Sequence, residues 1–173
     1  ECRGAGKKIT NPCRDCKGEG RELKERELNI KVPAGFSDGM SLRYTGEGEP
    51  SAPGGAAGDL YIRVHVRPHD KLQREGDDLL LEHPIDMALA ALGGEIEVAG
   101  VDGQESITVP KGTQPNDVIT LKRKGVPRLR GGGRGDFHIV CRVQIPRSLS
   151  SAQKTLLEEF QALGGKKKRS FFS

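Results

Sequence analysis

Three of the four cysteines in this 173-residue chain have the type and spacing to do chemistry. Residues 13–20 read Cys-Arg-Asp-Cys-Lys-Gly-Glu-Gly, a C-x-x-C-x-G-x-G unit, and residues 2–6 read Cys-Arg-Gly-Ala-Gly, the second half of the same unit. Two cysteines three apart can turn both thiolates toward one tetrahedral zinc. The glycines let the backbone bend sharply enough to offer amide N–H groups to the sulfurs. A lone C-x-x-C fits a redox dithiol as well, but two copies sharing the trailing G-x-G favour a zinc knuckle. Structural zinc takes four ligands. Cys2, Cys13 and Cys16 make three, and His65, His69, His83 and His138 all fall later. The site is incomplete as written, so these residues alone are not expected to hold zinc tightly. Cys141 stands in the alternating run Phe137-His138-Ile139-Val140-Cys141-Arg142-Val143 and reads as a small buried hydrophobe.

Two other chemistries compete for the cysteine segment. A thiol-disulfide oxidoreductase would use Cys13 and Cys16 and would need a depressed thiol pKa. A zinc-ribbon nucleic-acid module would need basic and aromatic residues clustered near the knuckles. The net charge of +4 is supplied wholly by Lys166, Lys167, Lys168 and Arg169, which leaves 24 cations against 24 anions elsewhere. A neutral body with seven aromatics argues against a phosphate-binding face, so no specific nucleic acid is expected as a partner. The basic tail itself reads as a solvated end. There is no triad or paired-carboxylate pattern, and Gly131-Gly132-Gly133 precedes a strand rather than a helix, so it is no phosphate loop. The chain is not expected to be an enzyme.

What must position these residues is a repeat. Residues 32–66 return without a gap 77 positions later as residues 109–143, with 11 of 35 positions identical. Val32-Pro33-x-Gly35 matches Val109-Pro110-x-Gly112, and Gly48-x-Pro50 matches Gly125-x-Pro127. Gly54-Gly55 matches Gly131-Gly132, and Gly58-Asp59-x-x-Ile62 matches Gly135-Asp136-x-x-Ile139. The period is too long for a solenoid. It describes one small β domain used twice, and 24 glycines with 10 prolines suit short strands joined by many turns.

The alternation Glu27-Leu28-Asn29-Ile30-Lys31-Val32 predicts a half-buried strand that Pro33 ends. Residues 40–44 and 59–66 predict two more strands around the loop 46–58. In the second copy, residues 79–81 predict a strand and 84–92 a short helix, with Asp86 as N-cap and Gly93-Gly94 as its stop. Residues 95–99 and 105–109 flank Val101-Asp102-Gly103 as a hairpin. Counting back 77 places the matching half of the first copy at residues 2–22, which hold the cysteine-glycine segment instead. The first domain is expected to be truncated and interrupted by a half-built zinc module. The N-terminus resembles neither a signal peptide nor a start methionine, so the chain reads as a fragment of something longer. No apolar run approaches the ~20 residues of a membrane span.

The two long loops carry opposite charge. Loop 46–58 has Glu47 and Glu49 and no cation, whereas residues 122–134 carry Lys122, Arg123, Lys124, Arg128, Arg130 and Arg134 and no acid. Solubility or docking between partners would each produce this. After Pro146 the period changes. Ser150 and Gln153 form a capping box, and Ala152, Leu156, Leu157, Phe160 and Leu163 make an apolar stripe that must bury against its own domain or a second copy.

These features together resemble the C-terminal part of DnaJ-type (J-domain) co-chaperones of the class with a zinc-finger region, the bacterial branch best. The C-x-x-C-x-G-x-G units and the V-P-x-G-x-x-x-G turn at residues 32–39 carry the resemblance. So do Gly58-Asp59-Leu60, Arg67-Pro68-His69, Arg74-Glu75-Gly76-Asp77-Asp78-Leu79 and Ala90-Ala91-Leu92-Gly93-Gly94. The resemblance implies a mainly β fold of two tandem small β-sandwich-like domains, a partial zinc module and a short C-terminal dimerisation helix. The implied boundaries are 1–22 for the zinc-finger remnant, 23–67 and 68–146 for the two domains, 147–164 for the helix and 165–173 for the tail. It implies two zinc ions in the full-length protein, with Cys13 and Cys16 as the fourth cysteine unit and Cys2 as the last cysteine of the third. It implies binding of unfolded clients at Leu28 and Leu72, dimerisation through Leu156, Leu157, Phe160 and Leu163, and a cytoplasmic partner, the seventy-kilodalton heat-shock chaperone. The His-Pro-Asp tripeptide of the J domain has no counterpart, and His83-Pro84-Ile85-Asp86 is a near miss at a strand-to-helix junction.

Overall fold

The computed structural model describes Arg14, Cys16, residues 24–51 and residues 55–164. Cys2, Cys13 and the basic run from Lys166 to Arg169 lie outside the described residues. The chain divides after Pro68 into two compact units.

In the first unit, β1 (Ser41–Tyr44) pairs antiparallel with β2 (Leu60–Arg63), Leu42 opposite Ile62 and Tyr44 opposite Leu60. The two-residue period puts these four side chains on one half-buried face and Ser41, Arg43, Tyr61 and Arg63 on the exposed other. Arg43 lies over the Tyr61 ring, 6.0 Å from its centroid, and pairs with Asp59 at 2.6 Å.

The second unit carries β3 (Leu72–Glu75), β4 (Asp78–Asp86), α1 (Met87–Leu92), β5 (Gly94–Ala99), β6 (Gln104–Val109), β7 (Val118–Leu121) and β8 (Phe137–Gln144). Strands β3, β4, β8 and β7 form one sheet in that order, with β4 and β8 parallel at its centre, while β5 and β6 form a separate antiparallel hairpin. Leu79 and Leu81 of β4 and Phe137 and Ile139 of β8 share a cluster with Val98 of β5 and Ile107 of β6. The hairpin therefore lies on the sheet as the second layer of a small sandwich. A second cluster joins Ile85, Val109 and Cys141 to Ala90 of α1. Among the described residues every buried apolar side chain falls between Leu79 and Cys141, and Phe137, Ile139 and Cys141 are fully buried. The apolar residues of the first unit remain partly open, Ile30 at 42% and Val32 at 52% exposure.

Helix α2 (Ser151–Gly164) follows. The capping box forms as its sequence predicts: Gln153 N–H donates to Ser150 Oγ at 3.3 Å, and Ser150 N–H to Gln153 Oε1 at 2.9 Å. Among the described residues no helix is long and apolar enough to cross a membrane.

Two expectations need correction. Residues 27–32 do not form a strand. By the 77-residue offset they are the counterpart of β6, whose six residues all pair with β5. The position matching β5 falls at residues 17–22, where Lys-Gly-Glu-Gly-Arg-Glu has neither the alternation nor the β-branched residues of a strand. The pattern of a strand is present without a ladder to join. The helix expected over residues 84–92 begins only at Met87, because Pro84, Ile85 and Asp86 extend β4 along β8. Pairing with β3 stops at Leu81, so Pro84 sits where that side of β4 has no neighbouring strand and its missing N–H leaves no gap in a ladder. Asp86 still caps α1, accepting from Ala88 N–H at 2.7 Å.

Candidate functional site

The repeat is most exact in the turns that bring the long loops back onto the sheet. Gly48 N–H donates to Gly58 O at 2.8 Å, and Gly125 N–H to Gly135 O at 2.8 Å. Gly58 N–H reaches Glu49 O at 2.9 Å, and Gly135 N–H reaches Val126 O at 3.0 Å. Isolated bridges close the two loops at matching positions, Pro50 with Ala57 and Pro127 with Arg134. Asp59 Oδ1 accepts from Gly46 N–H at 3.2 Å, and Asp136 Oδ1 from Arg123 N–H at 2.9 Å. The Gly-Asp pair shared by the copies keeps one device in both, the carboxylate that holds an amide at the start of the loop. Of the pair's two glycines, only Gly135 of the second copy has backbone packed too close for a Cβ. In the second copy Lys122 also donates to Asp136 Oδ2 at 2.7 Å, and that contact, with the Arg123 amide behind it, holds the Asp136 carboxyl below the usual carboxylate range.

The basic loop is largely neutralised by its own unit. Lys122 pairs with Asp136 and Lys124 with Glu105, each at 2.7 Å; Arg134 pairs with Asp102 at 2.5 Å and Arg128 with Asp77 at 3.6 Å. Glu105 and Asp102 belong to the β5–β6 hairpin, so the cations tie the loop to the second layer of the sandwich. Their charge serves this fold directly.

Of the zinc-type residues, Cys16 alone is described, half-buried in a turn segment, while Cys2 and Cys13 are not. Among the described residues no group of three or more His, Cys, Asp or Glu side chains could hold a metal ion. A tetrahedral zinc needs four donors. The described residues alone do not bring four such donors together. Cys141 is buried within the core, where desolvation first and the Asp117 charge second push its thiol pKa up, the opposite of a reactive thiolate.

Thr120 Oγ1, His138 Nδ1 and Asp78 lie in sequence on the outer face of the sheet, but this is not a catalytic constellation. His138 Nε2 is 3.9 Å from Asp78 Oδ2, beyond hydrogen-bond reach, while Asp78 Oδ1 is taken up by Asp136 N–H at 2.7 Å.

Leu28 is half-buried on the unladdered segment of the first unit. Leu72 opens β3 in the second unit, opposite Leu81, and packs against the margin of that unit's core. The two expected client-binding residues therefore belong to different units. In α2 the four expected dimerisation residues divide. Leu157 is half-buried, whereas Leu156, Phe160 and Leu163 are 65%, 73% and 75% exposed. Leu156 and Leu157 line a groove of about 220 Å³ with Met87, Ala88, Pro146 and Leu149. Met87, Pro146 and Leu149 escaped the sequence reading; the available signal was Leu149 standing just ahead of the Ser150 cap.

The description "DnaJ C terminal domain" belongs to the family whose profile matches residues 2–146. The chain is 44% identical over 163 residues to a "Chaperone protein DnaJ" of Leptospira biflexa, with 94% of this chain and 44% of that protein aligned. It is 46% identical over 164 residues to that of Acetivibrio thermocellus, covering 95% of this chain and 42% of the relative. It is 43% identical over 172 residues to that of Haloferax mediterranei, covering 99% and 45%. The chain thus spans less than half the length of these curated relatives. With the profile running from the cysteine segment through both repeats to Pro146, the chain belongs to the DnaJ C-terminal domain family.

Proposed function

We propose that this chain is the client-holding and dimerising part of a cytoplasmic co-chaperone that binds unfolded or misfolded polypeptides, prevents their aggregation and passes them to a DnaK-type, seventy-kilodalton heat-shock chaperone. The observation that supports client holding most directly is the uneven burial. Among the described residues the second unit holds all the buried apolar side chains, while the first presents Ile30, Val32 and Val66 at 42%, 52% and 45% exposure beside a two-stranded hairpin. Partly open apolar residues beside strand edges suit an extended, unfolded segment, which contributes side chains to pockets and backbone groups to an edge. Leu28 and Leu72 are the residues assigned to client contact. The family membership and the names of the relatives support the co-chaperone reading; no enzymatic step is needed for it, and no specific nucleic acid or membrane enters it.

Dimerisation is assigned to α2 through Leu156, Phe160 and Leu163, with Leu157 seating the helix. Zinc is assigned to the longer protein, two ions held by complete cysteine sets to which Cys2, Cys13 and Cys16 contribute; this chain alone is not expected to retain it. Stimulation of ATP hydrolysis is not assigned to these 173 residues, which contain no His-Pro-Asp tripeptide.

The test is aggregation suppression with a chemically denatured client, following light scattering at increasing chain concentration. Serine at both Leu28 and Leu72 should weaken suppression while circular dichroism stays that of the folded chain and the second unit still unfolds cooperatively, at a midpoint lowered by the loss of Leu72 packing. Full suppression by the double variant would remove both residues from the client site.

A further inference from the structure

His69 is the first residue of the second unit, and it makes an unusual backbone contact. Its Nδ1 accepts from the N–H of Lys71 and from the N–H of Leu72, each at 3.1 Å. Leu72 is where β3 begins. Ring Nδ1 is therefore used as Asp or Asn oxygen is used in a capping turn: it satisfies two amides just before a strand takes over. An imidazole can do this only when neutral and protonated on Nε2, because a protonated ring offers two donors and no acceptor.

We propose that His69 is a pH-sensitive clasp at the start of the second unit. In its neutral form it fixes the start of the edge strand β3, and uptake of a proton at Nδ1 turns the acceptor into a donor and releases both amides. The charged groups of its own segment are Arg67, Asp70 and Lys71; on β4, His83 is held below its ordinary pKa by burial first and by the Lys71 charge second. The release is local, because β4, β8 and β7 are held by their own ladders. It reaches function through Leu72, whose amide the clasp holds and whose side chain the client reading employs. The clasp stands or falls without that reading, since its test follows amides and not clients.

The experiment is residue-resolved hydrogen exchange on the whole chain between pH 7.5 and 5.5, normalised to intrinsic exchange, with the ring tautomer read by nitrogen-15 shifts. The expected result is an Nε2–H tautomer at the upper pH and a fall of about tenfold in protection at Lys71 and Leu72 on acidification, the scale of losing one or two hydrogen bonds. His69→Asn, which retains an acceptor oxygen near the place of Nδ1, should keep protection at both pH values. His69→Phe should have lost it at both, with the amides of Ile139 and Cys141 protected throughout as the control for folding. Protection that does not change with pH in the wild-type chain, an Nδ1–H tautomer, or retained protection in His69→Phe would each overturn the clasp.

Discussion

Arg123 occupies the left-handed backbone region, at φ 58°, with its amide held by Asp136 Oδ1 at 2.9 Å. The same position in the first copy is Gly46, at φ 76°, whose amide is held by Asp59. Asn116, at φ 70°, likewise stands where the first copy has Gly39, at φ 76°. The only two described non-glycine residues at positive φ are therefore the two positions where the second copy replaced a glycine of the first. The backbone kept the conformation and the carboxylate kept its grip.

Replacing Arg123 by glycine should stabilise the second unit. A left-handed non-glycine residue costs about 1–2 kcal/mol, and glycine returns part of that through its freer unfolded chain, leaving about 0.5–1 kcal/mol. Chemical denaturation followed at Phe137 or by far-ultraviolet dichroism would measure it. A midpoint that moves downward would mean that the Arg123 side chain contributes more than its backbone loses.

The repeat makes an asymmetric prediction for its second loop glycine. A Cβ on Gly135 would stand 2.0 Å from Asp77 O and 2.4 Å from Asp77 C, both backbone atoms that cannot swing away. A Cβ on its counterpart Gly58 would meet only Glu49 O at 3.5 Å, an ordinary contact. Gly135→Ala should cost about 3 kcal/mol or more, since the 76–79 turn must move, whereas Gly58→Ala should fall within about 0.5 kcal/mol of wild type. Equal effects at the two sites would refute the packing of that turn against the loop.

Much of this was legible in the chain itself, and the failures have physical causes. The turn glycines, the Asp86 and Ser150 caps and the buried Cys141 each follow from local chemistry, and each stands where its residues predicted. Residues 27–32 carry the right alternation for a strand, but a ladder depends on a partner elsewhere in the chain, which no local pattern encodes. The Gly-to-Arg and Gly-to-Asn exchanges hid a shared conformation behind a sequence mismatch. The charge of the 122–134 loop fitted solubility or docking, and its acidic partners Asp77, Asp102, Glu105 and Asp136 are scattered along the chain and meet it only in the fold.

Acidification should destabilise the second unit in two separable steps. Burial, and secondarily Lys71, keeps the His83 ring below its ordinary pKa. A histidine that is harder to protonate in the folded state contributes stability above its unfolded pKa of about 6.5 and loses it as pH falls. The depressed Asp136 carboxyl contributes stability above about pH 4 and loses it as the pH drops through the folded value. Thermal midpoints of His83→Gln should be flatter than wild type between pH 7 and 5, and those of Asp136→Asn flatter below pH 4. Wild-type curves matching both variants throughout would contradict the two environments.

Helix α2 offers the sharpest separation of fold from assembly. Leu157 is half-buried, and the groove that receives it also holds Met87, Pro146 and Leu149, whereas Phe160 and Leu163 are 73% and 75% exposed. A 14-residue helix is marginal alone, so it needs both its seat and a cover for the exposed stripe. Phe160→Ser with Leu163→Ser should leave the thermal midpoint of the second unit within a degree or two at low concentration, yet reduce the mass measured by multi-angle light scattering from two chains to one. Leu157→Ser should instead lower helix content in the monomer itself, by unseating α2 from the groove. Should the Phe160 and Leu163 variant remain two chains, the stripe is not the dimer contact, and the Leu157 result would still say whether the helix is packed where it lies.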